Sequence, residues 1–576
     1  MMSFLMISDA YGQIRISGIV IDQNSARPLP FVSIAFEGTS QGSITNADGE
    51  FQFSIDTNVI RSLRFSCIGY EMVTAPVSVR TPWQIELKPA MNNLPEVVVA
   101  SSKGSWLYNL IGRSVKEMRK MKSIYEPRAF FSLESSLNDS EPLEVMEAFY
   151  QCKTSVSNGL TETELKNGRF GLSPANGFFF LNLNTPYIIG QLKLFYESDF
   201  NLPEIPFSLT GKKMKQHFSF RLDSILFTRQ NNIAVITFTP KSASDKRFQG
   251  TVYIDTASCL MQKIILKCQD VRVHPFFPID TTHSISGISM KMVVNFKNDH
   301  RGSLIYDFIE FDYQFDYKTE LKQNTILSKS IMLFYDYSQP FTMPWYIGIP
   351  GLTDFAKIIS MPFNPVFWER NYLLPASRKS VQYTTFFRKS GLVVNYEPSR
   401  DTFSLLPSPV LSWRPGIKLS WKTIPEKNPG WIAFEGQPPA NLKPESDLSR
   451  KYFIDYQILL DFNKETDTCY WQSRSLLFLG NSFYELPRDQ TAIKSLELEF
   501  DLTEVFRLKL ESQLRKTITK DCNLKTIKKC YDQVNKELDN ERFLYKREVK
   551  RGADSLAFKA WKGWINKRLQ PGFFDR

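Results

Sequence analysis

The sequence predicts a mainly β, multidomain protein with a small N-terminal sandwich, a long antiparallel sheet and a helical C-terminal region. Three observations carry this. Short alternating apolar runs with turn punctuation fill positions 14–90. Longer alternating runs fill roughly 127–340, and near 487 the apolar period changes from that of a strand to that of a helix. Composition agrees: 14% of residues are aromatic, with 46 Phe and 23 Tyr, and such rings favour strands. A chain of 576 residues exceeds one ordinary core, and 42% hydrophobic with 23% charged residues suits a folded chain.

The expected order is a truncated signal peptide at 1–12, a sandwich at 13–90 and a linker with an amphipathic helix at 91–125. A β-rich domain at 126–345, a loop-rich segment with strands at 346–486 and a basic helical region at 487–576 follow. Phe4–Ile7 with Ala10 and Gly12 reads as the tail of a secretory signal, cleaved near Gly12–Gln13. No run of about 18 apolar residues follows, so no transmembrane helix is expected.

In the first domain, "IRISGIVID" and "PFVSIAFEG" alternate; the second places Val32, Ile34 and Phe36 on one side. Asn46–Ala47–Asp48–Gly49 is turn chemistry: Asx side chains bond nearby backbone and Gly49 tolerates positive φ. Phe51, Phe53 and Ile55 alternate after it, and "SLRFSCI" and "WQIELK" add further strands. About ten residues per strand argues a small antiparallel sandwich. Asp48 and Gly49 are the structural turn residues.

This segment resembles the carboxypeptidase regulatory-like domain. The matching positions include Gly18, Asp22, Leu29, Pro30, Val32, Gly38, Thr39, Gly42, Thr45, Asp48, Gly49, Phe51, Phe65, Gly69 and Tyr70; Asn46 stands where that family usually has Asp. The resemblance implies a transthyretin-like sandwich of about seven strands. It also implies the company of Gram-negative envelope proteins and TonB-dependent receptors, hence export to the periplasm or outer membrane. It does not imply peptidase chemistry, which needs His and Glu ligands around zinc. The four histidines, His217, His274, His283 and His300, begin no HxxE, and no HExxH occurs.

After the exit "LPEVVVASSKGS", Trp106, Leu107, Leu110, Ile111, Val115, Met118 and Met121 recur at helical spacing, as a core-facing stripe or a membrane-surface one. The middle runs include a hairpin at "FQGTVYIDTASCLMQKIILKC". Its "FQGTVYIDT" resembles the half-barrel of lipoprotein carriers. One face of such a sheet can shelter a lipid, or be covered by a helix, for which "YIIGQLKLFYES" at 187–198 is the candidate. Prolines then break the chain into loops with a short helix near 351–360. "NPGWIAFEGQPPANLKPESD" reads as an exposed loop and "KYFIDYQILLDF" as a strand.

The formal charge is +11, and Glu511–Arg576 holds 17 Lys or Arg against 9 Asp or Glu. This basic tail reads as solvated helix faces, or as a surface for anionic lipid or an acidic partner. Without a zinc-finger or RRM signature, nucleic acid is not expected. In the last helix, Trp561 and Trp564 flanked by Lys559, Lys562, Lys567 and Arg568 form a candidate membrane or partner surface, with packing against neighbouring helices as the alternative. Seven cysteines include no CxxC, and Cys522 and Cys530, in one predicted helix, stand about 12 Å apart, too far to bridge unless that helix breaks.

No GxxxxGK[ST], GxGxxG or GxSxG occurs. No catalytic residue, cofactor or metal site is therefore expected. The expectation is a non-enzymatic envelope interaction or binding protein with the sandwich as docking module. Its partner would be an envelope protein, a glycan or a lipid, with peripheral membrane contact as a further option. Lipid or lipoprotein handling by the middle sheet, glycan binding by the sandwich and an unrecognised hydrolase are the alternatives.

Overall fold

In this computed structural model the described residues are 13–575, without 79–81, 94–104, 174–184, 230, 243–245, 279, 346–353, 362, 372, 391–392, 397–409, 427–450, 466–467 and 519–521. The expected signal segment, the exit linker and the loop at 428–447 lie outside the described residues. The chain divides into two compact units, 1–340 with 365–403, and 341–364 with 404–576.

The first unit opens with seven strands: β1 (Gln13–Asp22), β2 (Ser33–Phe36), β3 (Gly42–Ile44), β4 (Glu50–Asp56), β5 (Ser62–Ser66), β6 (Val73–Pro76) and β7 (Trp83–Leu87). They form two sheets, β4-β1-β7 and β3-β2-β5-β6. The predicted inward residues close the core between them: Val32, Ile34, Phe36, Phe51, Phe53 and Ile55 are all buried. Phe53 lies 4.8 Å from Phe36 and 5.7 Å from Phe51, centroid to centroid. One pairing departs from the antiparallel expectation: β7 runs parallel to β1. The reason is connectivity. β6 belongs to the other sheet, so β7 arrives by a crossover rather than a hairpin.

β8 (Met91–Asn93) then pairs with the edge of a second, far larger sheet. That sheet contains β9 (Arg128–Leu137), β10 (Glu141–Ser155), β11 (Gly159–Leu172), β12 (Phe218–Phe227), β13 (Asn232–Pro240), β14 (Gln249–Asp255), β15 (Met261–Cys268), β16 (Ser284–Asn298), β17 (Leu304–Lys318), β18 (Gln323–Asp336) and, beyond the helices below, β19 (Val393–Val394). The order is β19-β11-β10-β9-β18-β17-β16-β15-β14-β13-β12-β8, open at both ends. The predicted hairpin is β14–β15, with Val252 opposite Ile264.

Helix α1 (Ser105–Lys120) buries Leu107, Leu110, Ile111, Val115 and Met118, the core-facing use of its stripe. Helix α2 covers only Thr185–Gly190, not the stretch to 198. After Gly190 the chain continues as irregular backbone. A third short helix, α3 (Gly211–His217), leads into β12.

The first helix of the second unit is α4 (Asp354–Ser360). The chain then returns to the first unit for α5 (Pro365–Arg370), α6 (Arg378–Lys389) and β19. The rest of the second unit is β20 (Val410–Ser412), β21 (Tyr452–Glu465), β22 (Thr468–Tyr484), α7 (Gln490–Ile518), α8 (Leu524–Val549) and α9 (Ser555–Arg568). Ile458, Leu460 and Phe462 of β21 pack with Leu502 and Leu510 of α7, Val534 and Leu538 of α8 and Ile565 of α9. Each long helix starts at a side-chain cap: Asp489 accepts from the Ala492 N–H, Asn523 from Lys525 and Thr526, and Asp554 from Ala557. Part of the basic excess is spent internally. Arg507 pairs with Glu504 and Glu511, and Lys546 with the buried Glu499. Cys522 precedes the Asn523 cap rather than lying in α8, and it forms a disulfide with Cys469, 53 residues away.

Candidate functional site

Three places were marked by the sequence: the 46–49 turn, the middle sheet and the last helix. In the turn, the Asn46 carboxamide oxygen accepts from the Asp48 and Glu50 N–H groups, both at 2.9 Å. Gly49 has φ +75°, and a Cβ there would meet Pro28 Cβ at 2.8 Å and Leu29 N at 3.0 Å. Asp48 does not close the turn. Its carboxylate accepts from the N–H of Arg378, the first residue of α6, at 2.9 Å. A negative group at a helix N-terminus is favoured by the dipole and by the free N–H groups there. Ser43 donates to the Leu373 carbonyl at 2.6 Å and Asn46 to that of Pro375 at 3.4 Å. The hairpin thus docks its own chain. Sequence spacing held no sign of this, because the partners lie 330 positions away.

At the base of β1, Asp22 accepts from Ser25 N–H at 2.8 Å and from the Tyr70 hydroxyl at 2.9 Å. The Ser25 backbone bond, helped by Tyr70, holds the Asp22 carboxyl below its usual range. Burial, then Asp22 itself, pushes Tyr70 up to about 12.

On the large sheet, one face is occupied by the chain's own side chains. Phe276 packs 4.8 Å from Tyr313 and 5.0 Å from Phe315; Phe207 lies 5.4 Å from Phe238; Tyr108 of α1 meets Phe220 edge-on at 5.2 Å. A buried polar row crosses the same face: Ser135 bonds Glu144 and Ser328, and Thr185 of α2 bonds the Tyr313 hydroxyl. Burial raises Tyr313 well above a phenol's usual range. On the opposite face, Arg169 pairs with Glu147 and stacks 4.0 Å from Trp368 and 4.7 Å from Tyr396.

The last helix turns its tryptophans inward. Trp561 donates to Glu548 at 2.9 Å and meets Tyr545 edge-on at 5.5 Å. Trp564 lies against Trp561 and carries the Arg568 guanidinium 3.7 Å above its ring. Lys559, Lys562 and Lys567 are exposed on the other side. Leu556, in the first turn of the same helix, is 79% exposed.

Beneath α9 is a cavity of about 410 Å³. Its apolar walls are Val505 and Phe506 of α7, Trp564, Phe573 and Phe574. Its charged lining is Lys509 with Glu537, which form an ion pair, and Arg568 with Glu541. Lys509 holds the Glu537 carboxyl below its usual range. Desolvation pulls Arg568 below an arginine's usual range, against the opposing pull of Glu541. The sequence had marked Trp564 and Arg568 but not the α7 and α8 residues that complete the cavity. The histidines are dispersed: His217 bonds Glu204 and His283 bonds Tyr317. Among the described residues, no three His, Cys, Asp or Glu side chains converge as metal ligands.

With this geometry in place, the N-terminal seven strands match the family profile described as CarboxypepD_reg-like domain over residues 16–99. The sandwich is a CarboxypepD_reg-like domain. A TonB-dependent receptor, P39 of Formosa agariphila, is 28% identical to the chain over 97 residues, a match covering 17% of this chain and 9% of the receptor. Solved structures similar to the chain include the following three. The MucA/MucB complex of Pseudomonas aeruginosa has 9% identity and a TM-score of 0.14, covering 39% of this chain and 93% of that one. A DUF1329 family protein from Desulfovibrio piger has 7% identity and a TM-score of 0.17, covering 42% and 95%. An outer membrane lipoprotein-sorting protein domain from Vibrio parahaemolyticus has 7% identity and a TM-score of 0.15, covering 38% and 92%. Among the described residues, no helix is long and apolar enough to cross a membrane.

Proposed function

We propose that this chain is an exported, non-enzymatic binding protein of the Gram-negative cell envelope, and that its ligand enters the cavity under α9. The carrying observation is the lining of that cavity. Apolar and aromatic walls surround four charged groups, of which Lys509 and Glu537 are already joined in an ion pair. A volume of about 410 Å³ suits a small molecule or a polymer end. The CarboxypepD_reg-like domain and its receptor relative support the envelope assignment. So does the Cys469–Cys522 disulfide, which persists in an oxidising compartment.

The turn face of the sandwich is engaged by residues 373–378, and the sheet face by Phe276, Phe207 and Tyr108, so neither offers a ready trough. The test is native mass spectrometry of the full chain, purified oxidised from the envelope fraction and exposed to an envelope extract. A small-molecule adduct that disappears on Asn540→Trp, a change at an exposed cavity residue, supports the reading. Recovery of the mature chain in the cytosol with reduced thiols, or no adduct in either form, rejects it.

A second reading concerns the outer face of α9, where Lys559, Lys562 and Lys567 are exposed and no Asp or Glu occurs from Ser555 to Phe574. Such a face is suited to an anionic lipid surface. Retention on vesicles containing anionic phospholipid, lost when all three lysines become glutamine, is the expected result.

A further inference from the structure

Of the four charged groups that line the α9 cavity, two are locked to each other and two are not. Lys509 and Glu537 are joined in an ion pair, and Glu537 also accepts from Gln533 at 3.2 Å. Arg568 is held differently. Its plane lies on Trp564 at 3.7 Å, with Phe573 at 5.3 Å, and its one hydrogen bond among the described residues goes to the Trp564 carbonyl at 3.3 Å. Stacking fixes the guanidinium plane and leaves the donors on its edge free, the geometry that takes a carboxylate or phosphate through two parallel bonds. Glu541, on α8, forms no hydrogen bond or ion pair among the described residues, yet it lines the same cavity and acts electrostatically on Arg568. A stacked cation and an anion without an ion pair among the described residues thus line one cavity.

An anion alone would satisfy Arg568 and be repelled by Glu541. A cation alone would meet the converse. A compact zwitterion satisfies both, and the walls of Phe506, Trp564 and Phe574 supply an apolar surface for the rest of the ligand. We infer that the α9 cavity binds a free α-amino acid with an apolar or aromatic side chain, its carboxylate on Arg568 and its ammonium on Glu541. An α-amino acid carries its ammonium and carboxylate on one carbon, so the two charges can address Glu541 and Arg568 while the side chain stays against the rings. This rests on the binding reading above and gives it a ligand class.

The test is isothermal titration of the oxidised full chain with L-phenylalanine, phenylacetate, phenethylamine and phosphoethanolamine at physiological salt. L-Phenylalanine is expected to bind, with phenylacetate and phenethylamine each at least tenfold weaker. Glu541→Gln should weaken L-phenylalanine about tenfold and leave phenylacetate unchanged or tighter. Arg568→Lys, which keeps the charge but loses the fork, should weaken both carboxylates. Each variant is first required to melt like the parent. The inference is overturned if L-phenylalanine gives no heat, if Glu541→Gln binds it as well as the parent does, or if phosphoethanolamine binds more tightly. If the inference fails while the extract adduct still depends on Asn540, the ligand class is wrong and the binding reading stands.

Discussion

The turn at 46–49 and the cavity under α9 are both small clusters of polar groups against apolar walls, and they end in opposite states. In the turn every polar side chain has a partner in the same chain: Asn46 on its own hairpin, Ser43 on Leu373, Asp48 on Arg378. Under α9, Lys509 and Glu537 pair, while Arg568 and Glu541 stand apart. Polar groups are costly to leave without partners away from water. A cluster that is fully paired serves architecture. One that keeps charges in reserve has room for a ligand. The segment that looked most distinctive in sequence is thus the architectural one.

Several substitutions can break or sharpen this contrast. The largest expected effect is on the second unit's scaffold. Replacing Cys469 and Cys522 by serine opens a 53-residue loop and should cost about 4 kcal/mol, read as a lower urea midpoint for the helices; an unchanged midpoint would show that the bridge does not constrain this unit. Gly49→Val comes next. Its positive φ and the Pro28 contact should together cost about 3 kcal/mol, lowering the melting temperature of the sandwich. An unaltered melting curve rejects the architectural role of the turn. Asp48→Ala removes the acceptor at the start of α6 and should cost about 1 kcal/mol, seen as faster amide exchange at Arg378 and its neighbours while the hairpin itself stays protected.

Asp22 sharpens the comparison through pH. Its folded pKa is depressed, so its contribution is fully present above the unfolded value near 4 and is lost as pH falls through the folded value. Asp22→Asn should therefore flatten the acid limb of sandwich stability below about pH 4 and leave neutral-pH slopes alone. The smallest effect belongs to Lys559, Lys562 and Lys567: converting all three to glutamine should move the melting temperature within error, because each is exposed. A clear loss of stability would mean that this face is part of the scaffold after all.

What could be read in the sequence follows the distance over which each feature is specified. The alternation of Phe51, Phe53 and Ile55 and the positive φ of Gly49 depend on neighbours a few residues away, and both are visible in the string. The long helices were legible from their period and from Asp489. The α9 cavity was half legible: Trp564 and Arg568 lie on one helix, whereas Phe506, Lys509, Glu541 and Phe573 come from elsewhere in the fold. Cys522 misled for a local reason, since the helical pattern around it conceals the Asn523 cap, so that α8 starts only after Cys522. The filling of the large sheet's face was illegible because Phe207 sits in a single 3-10 turn and Phe276 in an irregular connection, both too short to show a period.

The parallel pairing of β1 and β7 has a mechanical consequence. Tension applied at Gln13 and resisted where Leu87 leads into β8 pulls these two strands past each other lengthwise. Their cross-strand bonds, from Gly18 with Trp83 to Asp22 with Leu87, lie across that load and share it. They must yield together instead of peeling one at a time. The sandwich is thus wired to transmit a pull on its leading end into the broad sheet behind it.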